Sequence, residues 1–368
     1  MSFENIQKFV LILLYGGLIL QSFIVLINPM KVNKRANFFF GVFLLLWSSY
    51  WALDILYLCG FHPNKLLVFT IYFVEIFTPV CLFFSTIFYI NPNYKFYKTY
   101  FICLITPIFY LILLINSEDS KTIGILADFV AILHNLPFIA IIYFKIKKYQ
   151  KRIENISSNT ENIDLQWLSK LSLLLFGTIV ITVGYELFNM FVYKLQQHLA
   201  MDLLFLFITY STFYQVLRQK EIYPYSKKER EELLSVELED EEKTEKKKLI
   251  PDNEFENLKQ KLIFFMETEK PYLDGELNLS KLSGFININA HQLSYLLNNG
   301  FGENFFQFVN KYRVARAKEL LTDDSYKKIS IIGIAFDSGF NSKTSFNTIF
   351  KKITSETPSE FRKKQTNL

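Results

Sequence analysis

Long apolar runs dominate the first 217 residues of the chain. Seven of these stretches approach the roughly 20 residues that an α-helix needs to cross a bilayer, and their central portions lack Lys and Arg. The stretches cover about residues 6–27, 36–58, 66–90, 98–115, 123–144, 169–193 and 199–217. This pattern predicts a bundle of seven transmembrane helices joined by short loops.

The hydrophobic pattern changes near residue 252. From Asn253 onward, apolar side chains recur every three to four residues, which predicts amphipathic helices and no strands. The predicted fold class is therefore all-α. Its domains are a seven-helix transmembrane domain over 1–217, a charged linker over 218–252 and a helical domain over 253–368.

The linker admits two interpretations. Residues 227–248 hold seven basic and nine acidic side chains, which is typical of a solvated tether. The alternative is a signalling helix in which Leu233, Leu234 and Leu238 form a short dimer seam. Three leucines are too few to establish a heptad repeat.

Loop charges predict the orientation in the membrane. The first, third and fifth loops carry ten Lys and Arg residues, whereas the alternate loops carry only Lys65, Lys121 and Lys194. Because basic loops stay on the cytoplasmic side, the N-terminus is expected outside and the C-terminal domain in the cytoplasm. The first segment is expected to be a retained helix, since Glu4 and Lys8 precede it and no small-residue cleavage site follows.

Several ionisable side chains fall inside the apolar stretches. Charges in lipid are costly, so such groups are expected to face a bundle interior or a wet cavity, or to be protonated. One hypothesis is an outward-facing, acid-lined pocket for a small-molecule or ionic signal. Its candidate residues are Glu75, Asp128, His134, Thr182, Glu186 and Asn189. The alternative is that the carboxyl groups are protonated and bond between helices, or are interfacial, as for Asp54 and Asp202.

No motif indicates catalysis. The chain lacks HExxH, GxSxG, P-loop and GxGxxG patterns, and Cys59, Cys81 and Cys103 have no metal-ligand spacing. We therefore expect no enzyme activity, no catalytic residue, no cofactor and no metal site.

Two similar units occur in the last hundred residues. In residues 278–300, Asn278 and Asn289 can each cap a helix, and in residues 330–352 Ser330 and Ser342 can do the same. Gly339 supplies the turn of the second unit. A long helix from about Asn304 to Leu321 lies between the units and is expected to pack against both. Each unit therefore predicts a helix-turn-helix whose second helix is free to enter a DNA groove.

The motifs of this region resemble the DNA-binding domain of the AraC/XylS family of bacterial transcription regulators. They are LSKLSGFININAHQLSYLLN, NFFQFVNKYRVARAKELL, IAFDSGFNSKTSFNTIFKK and TPSEFRK, in the family's order. The resemblance covers about a quarter to a third of the chain. The whole chain looks like the membrane-anchored members of that family, although this second match is looser.

The resemblance implies that two recognition helices enter successive major grooves of double-stranded DNA. Carried onto this sequence, the outward residues are His291, Gln292, Ser294, Tyr295 and Asn298 on the first helix and Lys343, Thr344, Ser345, Asn347, Thr348, Lys351 and Lys352 on the second. Residues 252–310 have a net charge of −4 and residues 311–368 of +6. The second unit, with Arg362, Lys363 and Lys364, is therefore expected to supply most of the phosphate attraction.

Two positions depart from the family pattern. Gly333 lies within a predicted helix where the family has a better helix former, at a cost of about 1 kcal/mol against Ala. Ser355 stands before TPSEFRK where a glycine is usual. Both are expected to loosen the second unit without removing a motif core.

Together these patterns predict a one-component transcription regulator of the bacterial cytoplasmic membrane. Its expected partners are promoter DNA, the lipid bilayer, an unknown small-molecule or ionic signal, and a second copy of the chain. One alternative is a transporter or membrane enzyme with a fused regulatory domain, although no inverted repeat is visible. Another is that the apolar helices only anchor the DNA-binding domain.

Overall fold

The computed structural model describes residues 3–97, 103–117, 120–161, 163–191, 198–220 and 249–366. Within these ranges the regular structure is helical, as the sequence predicts, and extended pairing is limited to an isolated antiparallel bridge between Ser157 and Asn278. By its internal contacts the chain divides into two compact units. The first comprises Met1–Lys148 and Leu165–Ile222, and the second comprises Tyr149–Asp164 and Tyr223–Leu368.

The first unit is built from apolar helices. In the described part of the chain they are α1 (Phe3–Ile27), α2 (Lys34–Ser48), α3 (Ala52–Leu58), α4 (Lys65–Glu75), α5 (Thr78–Ile90), α6 (Ile105–Asn116), α7 (Lys121–Ile153), α8 (Gln166–Phe191) and α9 (His198–Arg218). A 3-10 turn joins α2 to α3, and a short turn joins α4 to α5, so each pair forms one longer apolar stretch. Helix α7 continues past the boundary of the first unit and ends in the second.

Among the described residues, six helical stretches are long and apolar enough to cross a membrane. They are Glu4–Ile27, Lys34–Leu58, Lys65–Ile90, Thr122–Ile153, Gln166–Tyr185 and Leu199–Arg218. The fourth predicted span contains the shorter α6, whose 12 residues reach about 18 Å at 1.5 Å per residue. Residues 98–102 of that predicted span lie outside the described residues. The number of crossings therefore stays a prediction.

Close helix packing organises the first unit. Helix α1 lies against α2 and α9, and α2 also lies against α5. Glycines permit the close approach, because a Cβ on Gly41 would lie 2.6 Å from Leu26 Cγ and one on Gly17 would lie 2.7 Å from the Tyr210 hydroxyl. The buried core includes Leu14, Leu18, Phe40, Phe43, Leu44 and Leu82.

The outer surface of this unit is also apolar. Phe23 is 61% exposed, and Phe144 and Phe207 are each 69% exposed. Helices that are apolar on every face are typical of membrane spans, since the exposed side chains meet lipid rather than water. One acidic group is satisfied inside the unit, because the Trp51 indole N–H donates to Asp202 at 3.0 Å and both residues are buried.

The second unit holds seven further helices in its described part. They are α10 (Asp252–Thr268), α11 (Leu279–Phe285), α12 (Ala290–Gly300), α13 (Phe305–Thr322), α14 (Ile331–Asp337), α15 (Lys343–Thr354) and α16 (Pro358–Thr366). Helix α13 contacts α12, α14, α15 and α16, which confirms that the long helix packs against both predicted units. Residues 221–248 lie outside the described residues, and with them the leucine seam predicted at Leu233, Leu234 and Leu238.

Candidate nucleic-acid interface

Helices α11 and α12 form the first helix-turn-helix. Asn278 caps α11, since its side chain accepts from the Lys281 N–H at 2.8 Å. Asn289 caps α12 through the Gln292 N–H at 2.8 Å, and the Gln292 side chain accepts from the Asn289 N–H at 3.1 Å. This reciprocal capping box satisfies amide groups that have no partner within the helix. The turn places Asn287 in the left-handed region, at φ 60°.

Helices α14 and α15 form the second helix-turn-helix. Ser330 caps α14 through the Gly333 N–H, and Ser342 caps α15 through the Ser345 N–H, each at 3.1 Å. Gly339 forms the turn at φ 86°, and a Cβ there would lie 2.2 Å from the Tyr272 carbonyl oxygen. Glycine is therefore required both by backbone conformation and by space.

Both helix-turn-helix motifs bury apolar side chains of the hydrophobic pattern. In the first motif these are Leu279, Leu282, Ile286, Leu293, Leu296 and Leu297, and in the second they are Ile334, Ala335, Phe340, Phe346, Ile349 and Phe350. Burial on one side of α12 and α15 leaves the opposite side available. This is the arrangement that lets a recognition helix enter a major groove.

Gly333 lies in the first turn of α14, where its N–H donates to the Ser330 cap. A Cβ at this position would lie 2.7 Å from Ile329 Cγ2, so a larger residue would require the exposed Ile329 side chain to shift. The expected cost of glycine at this position stays a prediction.

The predicted base-contacting residues of α12 differ in their exposure and in their contacts. Asn298 is exposed, and His291 and Ser294 are half-buried. Tyr295 is half-buried and packs edge-to-face on Phe255, with ring centroids 6.1 Å apart. The Gln292 side-chain oxygen already accepts one hydrogen bond in the capping box, which leaves one acceptor position on that oxygen for a contact with adenine.

The predicted base- and phosphate-contacting residues of α15 are more exposed than those of α12. Lys343, Thr344, Thr348, Lys351 and Lys352 are exposed, whereas Ser345 and Asn347 are half-buried. Three of these seven side chains are cationic, and α12 has no Lys or Arg. Of the basic residues predicted near phosphate on α16, Arg362 donates to the Ile329 carbonyl oxygen at 2.9 Å and Lys364 pairs with Glu356. Helix α15 is therefore the main cationic face of the two recognition helices.

Arg313 connects α13 to the segment before the first helix-turn-helix and to the turn of the second. Its side chain is 1% exposed, and it donates to the carbonyl oxygens of Tyr272 at 2.8 Å and Asp274 at 2.9 Å. The guanidinium also lies 5.9 Å from the centre of the Phe340 ring. Burial lowers the pKa of Arg313 to about 10, against the opposing effect of the Asp274 and Glu276 carboxylates, so it stays charged at neutral pH.

Sequence analysis missed Arg313 as a structural residue. Arginine ordinarily marks a solvated helix face, but Arg313 follows the buried Val309 by four residues and precedes the buried Ala317 by four. That spacing places Arg313 on the buried face of α13. The same spacing in the sequence would have allowed its burial to be predicted.

The candidate signal residues whose side chains the structure describes do not all line one cavity. His134 lines a cavity of about 700 Å³ whose other walls include Phe83, Phe109, Leu133 and Phe138. Within the described residues, Glu75, Asp128 and Thr182 are not among its lining side chains. The side chains of Glu186 and Asn189 lie outside the described residues.

Two of the carboxylates share tyrosine neighbours. Glu75 and Asp128 both lie within electrostatic range of Tyr72 and Tyr110. Glu75 is half-buried, and Asp128 and Thr182 are exposed in the isolated chain. His134 itself is buried, and its Nε2 has no hydrogen-bond partner among the described residues. The cavity is thus mainly apolar, and His134, Thr106 and Cys103 are its polar lining residues among those described.

Comparison with known proteins identifies the C-terminal region. A family model described as a helix-turn-helix domain matches residues 282–364. Curated relatives include uncharacterized HTH-type transcriptional regulators of Staphylococcus aureus strains COL and MSSA476, each 36% identical over 87 residues. The matched region covers 24% of this chain and 11% of the relatives' length. No solved structure matches the chain. Residues 282–364 therefore carry a helix-turn-helix domain of the AraC type.

Proposed function

We propose that this chain, whose C-terminal region is an AraC-type helix-turn-helix domain, is a membrane-bound regulator of transcription. The observation that carries the proposal is the pair of capped recognition helices, α12 and α15, each with a polar face opposite its buried one. Two such helices on one domain suit successive major grooves on one side of a duplex. The match to transcriptional regulators supports the same function.

In this proposal the two recognition helices have different tasks. Helix α15 attracts phosphate through Lys343, Lys351 and Lys352, and its Thr344 and Thr348 reach base edges. Helix α12 carries no cation, so His291, Ser294 and Asn298 refine the choice of sequence rather than add affinity. A single domain of this kind binds modestly, which favours a homodimer on a two-part promoter site.

The first unit is proposed to span the bacterial cytoplasmic membrane. Six helical stretches of sufficient length and the apolar outer surface support this location. The positive loops favour an external N-terminus and a cytoplasmic DNA-binding domain. That orientation places the domain on the side of the membrane where DNA is found.

The His134 cavity is the proposed receiver of the signal. Its walls suit a mainly apolar small molecule with one hydrogen-bonding group, which would meet His134 Nε2. Glu75, Asp128, Thr182, Glu186 and Asn189 remain candidates for a second, ionic response. In a promoter-reporter strain, His134→Phe should abolish the response to an apolar inducer, while Glu75→Gln should leave it intact. The opposite pattern would favour the acidic group.

Genome-wide DNA occupancy of the full-length protein tests the regulator function. Wild type should give discrete peaks in promoters, and the triple variant Lys343→Gln, Lys351→Gln, Lys352→Gln should lose most of them. The matched control, Lys270→Gln, Lys311→Gln, Lys327→Gln, removes the same charge from other elements and should keep the peaks. Absence of discrete wild-type peaks, or equal loss in both triples, would contradict the proposal.

A further inference from the structure

Residues 149–164 belong to the DNA-binding unit, although in sequence they comprise the end of the apolar helix α7 and most of its connection to α8. Helix α7 has 33 residues and is about 50 Å long, which exceeds the roughly 30 Å of a bilayer core. Its last turns continue into the second unit without a break. The segment then folds back, because the Tyr149 hydroxyl donates to the Ile163 carbonyl oxygen at 2.7 Å. We call residues 154–161 the strap.

The strap pairs with the start of the first helix-turn-helix. Ser157 and Asn278 face each other in an antiparallel bridge. The Leu279 N–H donates to the Ile156 carbonyl oxygen at 3.0 Å, and the Ser158 hydroxyl donates to the Leu277 carbonyl oxygen at 2.6 Å. Ile156, Ser157 and Ser158 are all buried, so this pairing is part of the folded unit.

The strap also satisfies polar groups of α13. The Ser158 carbonyl oxygen accepts from Asn310 at 3.0 Å and from Arg313 at 3.1 Å, and the Ser158 hydroxyl accepts from Arg313 at 3.0 Å. At the N-terminus of α13, the Phe306 N–H donates to the Glu154 carbonyl oxygen at 2.9 Å. N–H groups in the first turn have no partner inside their own helix, so the strap supplies the acceptor for one of them in α13.

The last contact of the strap lies at the second recognition helix. The hydroxyl of Ser342, the N-cap of α15, donates to the Glu161 carboxylate. In helix-turn-helix proteins the N-terminal residues of the recognition helix are the ones that meet the DNA. A helix N-terminus favours an anion, and here the anion is a side chain of the same chain. A DNA phosphate approaching α15 would meet this negative charge.

We propose that the strap is an intramolecular inhibitor that docks on the DNA-binding unit and competes with DNA for the N-terminal end of α15. This inference rests on the proposed function and adds its regulation. Because α7 leads directly into the strap, a shift of that helix by a bound signal would withdraw Glu161 and release α15. A signal can do this only if it binds the released state more tightly than the docked state.

A disulfide trap tests the strap in the full chain. In lipid nanodiscs, with the three native cysteines replaced by Ala, Ser157→Cys and Asn278→Cys form a pair at the antiparallel bridge. Non-hydrogen-bonded pairs of this kind lie within the distance that a disulfide spans. Binding is measured by fluorescence anisotropy on a mixed-sequence duplex of about 40 base pairs, roughly four helical turns. The oxidised protein should bind at least about tenfold more weakly than the same protein after reduction, a difference of about 1.4 kcal/mol.

A charge variant provides a second, independent readout. Glu161→Gln should bind the duplex about three- to tenfold more tightly than wild type, since the strap loses its charge at α15. The matched control, Glu269→Gln, removes an exposed carboxylate at the end of α10 and should change binding less than twofold.

The outcomes separate the two proposals. Equal binding by oxidised and reduced protein, or tighter binding when oxidised, overturns the inhibitory strap while the regulator function stands. Failure of the disulfide to form contradicts the Ser157–Asn278 pairing. Absence of duplex binding at low salt by wild type, by the reduced pair and by Glu161→Gln overturns the proposed function itself.

Discussion

Ser355 holds a conformation that is unfavourable for its side chain. It ends α15 at φ 66°, in the left-handed region where glycine is the usual residue. The family pattern pointed to glycine here, and the backbone angle now supplies the reason. Ser355→Gly should raise the local stability of residues 343–366 by about 0.5–1 kcal/mol, because it removes the Cβ strain.

Hydrogen exchange by mass spectrometry on the full chain measures this change. Slower exchange of peptides from α15 and α16 is expected for Ser355→Gly. Ser355→Ala keeps the Cβ and should not slow exchange. If both variants protect α15 and α16 equally, the gain does not come from the left-handed backbone.

Arg313 is the single most consequential polar residue of the DNA-binding unit. Its replacement by Met would leave the Tyr272 carbonyl oxygen buried without a donor, and would remove one of the two donors from the carbonyl oxygens of Asp274 and Ser158. An unsatisfied buried group costs about 1–3 kcal/mol, and each lost hydrogen bond to a charged group about 1.5–3 kcal/mol. We expect Arg313→Met to lower the local unfolding free energy by at least about 3 kcal/mol.

Arg316 provides the matched comparison for Arg313. It lies three residues further along α13 and pairs with the exposed Glu319 at 2.9 Å. Because exposed ion pairs contribute about 0–1 kcal/mol, Arg316→Met should have a small effect. Hydrogen exchange across α11 to α15 in both variants gives the measurement. Similar losses of exchange protection in Arg313→Met and Arg316→Met would show that the buried hydrogen bonds of Arg313 do not stabilise the packing of these helices.

The two recognition helices should respond differently to salt. The DNA association constant K falls as salt rises, so a plot of log K against log [salt] has a negative slope. Replacing Lys351 and Lys352 of α15 with Gln should reduce the steepness of that slope by about 1 for each phosphate that these lysines neutralise. Replacing Asn298 of α12 with Ala should leave the slope unchanged and relax sequence preference at one position, by about 1–3 kcal/mol of discrimination.

Titrations of one duplex at several salt concentrations, with wild type and each variant, provide this comparison. An unchanged slope in the lysine variants would show that Lys351 and Lys352 of α15 do not contact DNA phosphates. A reduced slope in Asn298→Ala would mean that α12 contributes to phosphate binding, although it contains no Lys or Arg.

Helix starts were the most predictable feature of the elements. Asn278, Asn289, Ser330 and Ser342 were identified as caps from residue type and spacing, and all four accept the expected backbone N–H. Capping depends on residues three positions apart, so it can be deduced from the chain alone. The contact between position 333 and Ile329 could not be predicted in this way, because the direction of Ile329 is set by the folded backbone.

The number of membrane crossings depends on α6. With seven crossings, ten basic loop residues lie inside and three outside, which follows the positive-inside rule. With six crossings and a cytoplasmic C-terminus, the N-terminus would also be cytoplasmic. Six of the same basic loop residues would then lie inside and seven outside. The charges therefore favour a crossing at residues 98–116 despite the short described helix.

Labelling with a membrane-impermeant maleimide tests this topology in intact cells. In a cysteine-free background, Cys at position 120 should react from outside, and Cys at position 93 should react only after permeabilisation. Cys at position 62, in a loop expected outside, is the positive control. Equal reactivity at 93 and 120 would mean that α6 does not cross.

The sequence by itself determined the helical class, the change from apolar to amphipathic helices near residue 252, and the helix-turn-helix units with their caps and turns. These features follow from solvent preference and from interactions within a few residues. Only the tertiary structure revealed the buried role of Arg313, the apolar His134 cavity and the docking of the strap. Each depends on side chains far apart in the chain, such as Ser158 and Arg313, and their meeting is decided by packing rather than by any local pattern.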